Sequence, residues 1–290
     1  MNIEIKTGGI DNYELLDSGN KKRLEKIKNF HIIRYEPKAW WRPCLSHEKW
    51  QSADAEYTNE GKWIFRNPSL KSSWKMSFNN FLFEARISET SRHLGFFPEQ
   101  SVHWHSIIDS RLKKIKSGQK PLLLNLFGYT GLASLAALSA GYRVTHIDAS
   151  RPAIEWAKRN QALSGFENKP VRWILDDVIK FVHREIRRNN RYDAIILDPP
   201  SFGRGPSKEL WKAENALSEL LIDCRKILSD SPMFIILTLY NLEASAVSAK
   251  NMIEDATRGL NGNIECGELG LKHTGNDRIL PLSIYAKWSQ

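Results

Sequence analysis

The fold is decided by residues 122–150, LLLNLFGYTGLASLAALSAGYRVTHIDAS. LLLNLF is an apolar run of strand length, GYTG turns the chain, GLASLAALSAGY reads as a helix and RVTHID as a second strand. Working outward, ASRPAIEWAKRNQALSGF reads as a helix, VRWIL as a third strand, DDVIKFVHREIRRN as a helix and YDAIILD as a fourth strand. A helix around Glu209–Leu228 then leads to MFIILTLY, and the chain closes with an acidic helix and two short extended segments, IECGEL and PLSIYAKW. Strands and helices in alternation imply right-handed crossovers. The expected class is therefore α/β, a Rossmann-like and mostly parallel sheet with helices on both faces. Such a sheet binds ligands beyond the carboxyl ends of its strands, where strand order reverses.

Upstream, the pattern differs. From Tyr13 to about Lys75, short hydrophobic stretches such as FHIIRY and KWIF are broken by Pro, Gly, Asn and Ser, which suggests a small β-rich domain. FLFEARIS reads as extended and SVHWHSIIDSRLKKIK as a helix on which Val102, Ile107, Ile108 and Leu112 share a face. The expected organisation is a β-rich module over residues 1–80, a connecting segment over 81–120 and a ligand-binding domain over 121–290.

The chain has 290 residues, enough for a sizeable core, and its 41% hydrophobic and 26% charged content is that of a globular protein rather than a disordered one. Its longest apolar runs, such as Met233–Leu239, are strand-sized, so no membrane partner is expected. The opening MNIEIKTGGIDNYELL has early acidic residues and no apolar h-region, which argues for a cytoplasmic location. Cys44, Cys224 and Cys266 lie far apart without paired spacing, so reduced thiols and no metal site are expected. His103 and His105, two apart in a helix, cannot share a face as a metal pair would. The net charge of +9 is amino-terminal: residues 1–120 hold 21 Lys/Arg against 14 Asp/Glu, and residues 121–290 hold 21 against 19. Six of the ten tryptophans (Trp40, Trp41, Trp50, Trp63, Trp74 and Trp104) also lie there. Cations interleaved with aromatics suit contact with RNA. The competing reading is that these tryptophans fill a core while the charges keep the domain soluble. The runs KKIK (113–116) and REIRR (184–188) read as solvated helix faces.

Four positions carry chemistry. In the turn Phe127-Gly128-Tyr129-Thr130-Gly131, the glycines permit close backbone approach, and the following helix offers unpaired N–H groups to a carboxylate or phosphate. Asp148, followed by Ala149, closes the second strand twenty residues after Gly128, where a carboxylate can accept from both hydroxyls of a ribose. Asp176-Asp177 ends the third strand, where a carboxylate can meet an adenine amino group. Helix N-caps are the alternative for both acidic positions. Asp198-Pro199-Pro200-Ser201-Phe202 follows the fourth strand. Its prolines fix the backbone and remove donors, leaving carbonyls and a carboxylate to accept from a planar amino or ring nitrogen. The loop Gly203–Lys208, continuing to Trp211 and Lys212, can close over a substrate and contact phosphate.

LNLFGYTG, HIDAS, the paired aspartates after the third strand and LDPPSFGRG resemble the S-adenosylmethionine-dependent RNA methyltransferases of the bacterial large-subunit ribosomal RNA group, which includes 5-methylcytosine and 7-methylguanine enzymes. The resemblance covers Pro121 to about Tyr240 and extends back through LGFFPEQSVHW. YELLDSGNKKRLEKIKNFHIIRYEP resembles a smaller branch that carries a β-rich module in place of the usual RNA-binding domain. The resemblance implies that Gly128 to Gly131 face the methionine portion of S-adenosylmethionine, with Asp148 on the ribose, Asp177 on the adenine and Asp198 with its prolines at the methyl acceptor. There is one departure. The 5-methylcytosine enzymes place a nucleophilic cysteine just after the fifth strand, whereas this chain reads Thr238-Leu239-Tyr240-Asn241, and Cys224 reads as a packing residue. The expected activity is methyl transfer to a nucleic-acid base, in ribosomal RNA and at nitrogen. The alternatives are a protein or small-molecule acceptor, a nicotinamide oxidoreductase, which the turn sequence disfavours, and a non-catalytic RNA-binding protein.

Overall fold

The computed structural model describes residues 3–70, 72–89, 91–113, 120–207 and 209–290. They form two compact units. One comprises Met1–Ile5, His103–Glu268 and Ser283–Gln290, and the other Lys6–Val102 and Leu269–Leu282.

The chain begins with β1 (Glu4–Thr7), β2 (Tyr13–Gly19), β3 (Lys22–Ile27), β4 (Phe30–Tyr35), the short helix α1 (His47–Gln51), β5 (Ala55–Tyr57), β6 (Trp63–Phe65), β7 (Ser73–Phe78) and β8 (Phe81–Arg86). Strands β2 to β6 make a five-stranded sheet in sequence order, and β7 and β8 form a hairpin. The β-rich reading of this region is correct. Its tryptophans divide between the two readings: Trp50 and Trp74 are buried, whereas Trp40 is 82% exposed. The buried ion cluster of this sheet centres on Glu25, which accepts from Tyr13 Oη at 2.6 Å and from Arg34 Nε and Nη2 at 2.6 and 2.5 Å.

Helix α2 (Ser101–Lys113) then leads to β9 (Leu122–Leu126), α3 (Leu132–Ser139), β10 (Arg143–Asp148), α4 (Arg151–Leu163), β11 (Val171–Leu175), α5 (Val178–Arg187) and β12 (Ala194–Leu197). In α2 the buried side chains include His103, Trp104 and Ile107, while Val102 and Ile108 are only partly covered, so the core face is rotated from the expected one. Trp104, the bulkiest side chain of the helix, is 3% exposed. The side chain of Leu112 and residues 114–116 of the KKIK run lie outside the described residues. His103 packs edge-on against Tyr285 at 5.4 Å and His105 is exposed.

After β12 come β13 (Phe202–Arg204), β14 (Leu210–Lys212), α6 (Ala213–Lys226), β15 (Phe234–Leu239), α7 (Ala246–Ala256), β16 (Asn263–Lys272) and β17 (Ile279–Ser289). Two sequence expectations change here. Leu210–Lys212 is a strand rather than the first turn of the helix, because its backbone pairs with Phe202–Arg204. The closing segments are long strands of 10 and 11 residues.

The main sheet has the order β1-β16-β17-β15-β12-β9-β10-β11. β9 to β12 and β15 pair in parallel, and β17 runs antiparallel to β15. β12 and β15 are buried at every position, the pattern of strands covered on both faces. α3 packs with α4, and α6 with both α5 and α7. Ser150, Asp177 and Ser245 cap α4, α5 and α7 by accepting from Ala153, Lys180 and Ser248 N–H groups. The chain winds outward from β9 to β11 and returns to β12 on the other side of β9. Strand order therefore reverses between β9 and β12, the point at whose carboxyl ends such a sheet forms its ligand-binding crevice.

Candidate active site

The first element at that crevice is the turn after β9. Phe127, Tyr129 and Gly131 all adopt positive φ (58°, 50° and 86°). For Phe and Tyr the left-handed region costs about 1–2 kcal/mol each, strain that persists only where surrounding contacts impose it. Those contacts are present. Gly128 N–H donates to Ile147 O at 3.0 Å, Tyr129 N–H to Asp148 Oδ2 at 2.8 Å, and Asn160 Nδ2 to Thr130 O at 3.0 Å. Gly128 is required for space: a Cβ there would lie 2.3 Å from His146 Cε1.

Beneath the turn lies a buried polar group that the sequence reading missed. Asn125, the one polar residue of β9, stands opposite His146 of β10. Asn125 Nδ2 donates to Ser134 Oγ at 2.9 Å, and that hydroxyl shares a 3.0 Å hydrogen bond with His146 Nδ1. Burial pushes the His146 pKa down to about 3, so the ring is neutral. The signal was Asn125, a polar residue inside the otherwise apolar β9.

Asp148 ends β10. Its Oδ2 takes the Tyr129 N–H and its Oδ1 the Ser150 N–H at 2.8 Å. Burial raises its pKa above the usual carboxylate value, and these N–H groups partly offset that. Ala149, next in the chain, is partly covered. Asp176 N–H donates to Asp148 O at 3.1 Å, which joins the ends of β10 and β11. Asp176 Oδ2 is engaged by Arg184, while its Oδ1 accepts the Asp177 N–H at 2.8 Å. Asp177 caps α5 through Oδ1, as the helix-cap alternative anticipated. REIRR is accordingly no uniform solvated face: Arg184 pairs with Asp176, and Glu185 is buried and accepts from Tyr192 Oη at 2.7 Å.

Asp198 follows β12, its N–H 3.4 Å from Leu126 O, so Asp198-Pro199-Pro200 lies against the strand end from which the turn departs. Pro199 is buried and Pro200 exposed. The Pro200 carbonyl accepts from Trp211 Nε1 at 2.7 Å, and the Trp211 ring lies 4.8 Å from that of Phe127. Trp211 thereby links the turn to Pro200, a contact that its pairing across the β13–β14 hairpin makes possible. Of the expected loop over residues 203–208, Gly203 and Arg204 belong to β13 and residues 205–207 to the hairpin connection, while Lys208 lies outside the described residues. Cys224 is fully buried in α6, and burial pushes its thiol pKa well up. The cysteines are free, and among the described residues no His/Cys/Asp/Glu group could hold a metal.

A family model described as S-adenosylmethionine-dependent methyltransferase matches residues 103–253. The chain belongs to that family. It is similar to the crystal structure of the SAM-dependent methyltransferase from Agrobacterium tumefaciens, with 39% identity, 100% of this chain and 94% of that chain covered, and a TM-score of 0.94. Ribosomal RNA large subunit methyltransferase I of Alteromonas mediterranea is 36% identical over 115 residues, 39% of this chain and 27% of that protein. Ribosomal RNA large subunit methyltransferase K/L of Shewanella baltica is 40% identical over 106 residues, 35% of this chain and 14% of that protein. The match to these two relatives thus spans 27% or less of their lengths.

The crevice of this methyltransferase fits S-adenosylmethionine. Gly131 begins α3 without a side-chain cap, which leaves first-turn N–H groups to meet a carboxylate. Asp148 is half-buried beside the turn, with acceptor capacity beyond the N–H groups it holds. No described helix is long and apolar enough to cross a membrane.

Proposed function

We propose that this methyltransferase acts on a base of ribosomal RNA, at nitrogen. The observation that carries the reading is the placement of Asp198-Pro199-Pro200 against the carboxyl end of β9, beside the turn that suits the cofactor. Phe127, Gly128, Tyr129, Thr130 and Gly131 seat the methionine portion, Asp148 and Ala149 the ribose, and Asp176 and Asp177 the adenine side. S-adenosylmethionine supplies a methyl group on a sulfonium. Asp198 and the Pro199 carbonyl accept hydrogen bonds from the acceptor nitrogen, fixing its lone pair in line with that methyl group.

Nitrogen is favoured over cytosine C5 because covalent activation of a pyrimidine needs a thiolate. The segment Thr238–Asn241 has no cysteine, and Cys224 is buried and held protonated. The relatives named for ribosomal RNA support the RNA acceptor. An acceptor of that kind places the enzyme in the cytoplasm.

The test is incubation of purified protein with methyl-labelled S-adenosylmethionine and unmodified total RNA, beside an Asp198→Ala control. Label is expected in RNA and lost in the variant, with a nitrogen-methylated nucleoside after nuclease digestion. Label entering protein alone, or a 5-methylpyrimidine, would overturn the reading.

A further inference from the structure

The hairpin after the acceptor motif has two unlike faces. β13 and β14 pair with Phe202 opposite Lys212, Gly203 opposite Trp211 and Arg204 opposite Leu210. Side chains alternate across a strand, and directly opposed residues share a face. Gly203 and Trp211 thus lie on one face, with Phe202, Arg204, Leu210 and Lys212 on the other. The first face is anchored through Trp211, as described above. The second is exposed at all four positions, Phe202 by 54% and Leu210 by 61%.

A single exposed apolar side chain needs no explanation, but two in register with two cations on so short a hairpin do. The hairpin does not need them to form. It is held by Trp211 and closed by Gly205 N–H donating to Glu209 O at 2.8 Å. Its one acidic residue is committed elsewhere: Glu209 pairs with Lys180 at 2.5 Å and accepts the Ser207 N–H at 2.9 Å. Neither Arg204 nor Lys212 has an ion-pair partner among the described residues. Each cation stands diagonally across from the other and beside an apolar neighbour. That arrangement suits a ligand with flat apolar surfaces strung on a regularly spaced anionic backbone.

We propose that this outer face is the docking surface for the RNA strand that carries the methyl acceptor. Phe202 and Leu210 pack against unstacked bases, and Arg204 and Lys212 contact the flanking phosphates. The proposal rests on the base-methylation reading and deepens it. A base must leave its stack before its nitrogen can reach Asp198, and a surface that pairs with the unstacked strand offsets that cost. A neutral apolar partner would satisfy Phe202 and Leu210 but leave both cations without counter-charge. With Glu209 paired to Lys180, the hairpin presents two cations on this face and no acidic side chain to offset them, which favours a polyanion.

The experiment measures binding of a fluorescein-labelled, mixed-sequence single-stranded RNA of about 12 nucleotides, within the site sizes of such surfaces. Anisotropy is read across a salt series with S-adenosylhomocysteine present. Replacing Phe202 and Leu210 together by Ala is expected to weaken binding at least about fivefold at every salt concentration, the lower bound for losing one base-stacking contact. Replacing Arg204 and Lys212 together by Gln is expected to reduce the slope of log affinity against log salt by about 1.4, since each single-strand phosphate contact contributes about 0.7. Neither double variant should change S-adenosylhomocysteine affinity, because the cofactor side of the hairpin is the Trp211 face. Unchanged RNA affinity and slope in both variants would overturn the docking surface and leave base methylation in place. Label from S-adenosylmethionine entering no RNA in the wild-type protein overturns the reading beneath it, whatever the hairpin binds.

Discussion

The Tyr129 N–H donates to Asp148 Oδ2 at 2.8 Å, so the strained turn after β9 and the carboxylate ending β10 form one hydrogen-bonded unit. Displacing either moves the other. This linkage bears on both halves of the proposed cofactor seat, because the carboxylate that fixes the turn is also the one proposed to accept from the ribose.

Cofactor affinity should therefore depend on pH through Asp148. Burial raises its pKa in the free protein, and hydroxyl donors favour the ionised form. Binding then releases a proton, so affinity rises with pH and levels off once the free protein is ionised. Folding stability of the free protein has the opposite sign: the contribution is complete below the ordinary carboxylate value and is lost as pH rises through the raised one. Calorimetric titration with S-adenosylhomocysteine from about pH 4 to 8, across the carboxylate range, reads the first effect. Asp148→Asn should flatten the profile and weaken binding about tenfold, the loss of one charge-assisted bond. A variant with the wild-type slope would show that another group titrates.

Gly128→Ala should destabilise the protein by about 1–3 kcal/mol, the cost of overpacking, and weaken cofactor binding. The added methyl would lie 2.3 Å from a buried imidazole ring held by Ser134. Gly9→Ala, where a Cβ meets nothing within 4 Å, is the control. In the Gly128→Ala/His146→Ala double variant the penalties should be less than additive, because the clash with the ring is gone and only the 2.9 Å approach to Asn125 Nδ2 is left. Strict additivity in thermal melts would mean that the ring is not what excludes the side chain.

Most of the sheet was legible because its strands are apolar runs separated by helices of clear period. The position of the turn, Asp148 and Asp198 at the ends of β9, β10 and β12 was legible because each follows or closes an extended segment. What escaped depends on pairing across the chain. Leu210–Lys212 looks like the start of a helix until Phe202–Arg204 is laid beside it, and Trp211 becomes a brace only in that register. Residues 269–282 belong with Lys6–Val102, a grouping that no local pattern reveals. Asp177 carried two physically sound readings, and its bond to the Lys180 N–H satisfies the cap.

Trp211→Phe keeps a ring near Phe127 and removes the N–H that holds the Pro200 carbonyl. The expected result is a split effect. S-adenosylhomocysteine affinity stays within about twofold, while the transfer rate falls by about three- to tenfold, the equivalent of one neutral hydrogen bond. Equal losses in both would assign Trp211 to packing alone.

Cys224→Ala should leave transfer unaffected and lower stability by about 1 kcal/mol, as for a modest core truncation. Alkylation of the native protein, followed by mass spectrometry, should modify Cys44, which is exposed, and spare Cys224 and Cys266, which are buried. Loss of transfer in a folded Cys224→Ala protein would revive a covalent route and with it a pyrimidine acceptor.

Glu25 couples the stability of the β2–β6 sheet to acid pH. Burial alone would raise its pKa, but Arg23 and Arg34 beside it prevail and hold it at about 2. Because the folded value is depressed, its stabilising contribution is present above the ordinary carboxylate pKa of 4.5 and is lost as pH falls from there toward 2. Glu25→Gln removes the charge at every pH and leaves Arg34, 1% exposed, without its carboxylate. Breaking a buried pair on one side costs about 3–5 kcal/mol. Chemical denaturation near neutral pH should show that loss, and the variant's stability should fall less steeply than wild type between about pH 4.5 and 2, because the titrating group is gone. Parallel acid profiles for the two proteins would place the acid sensitivity elsewhere.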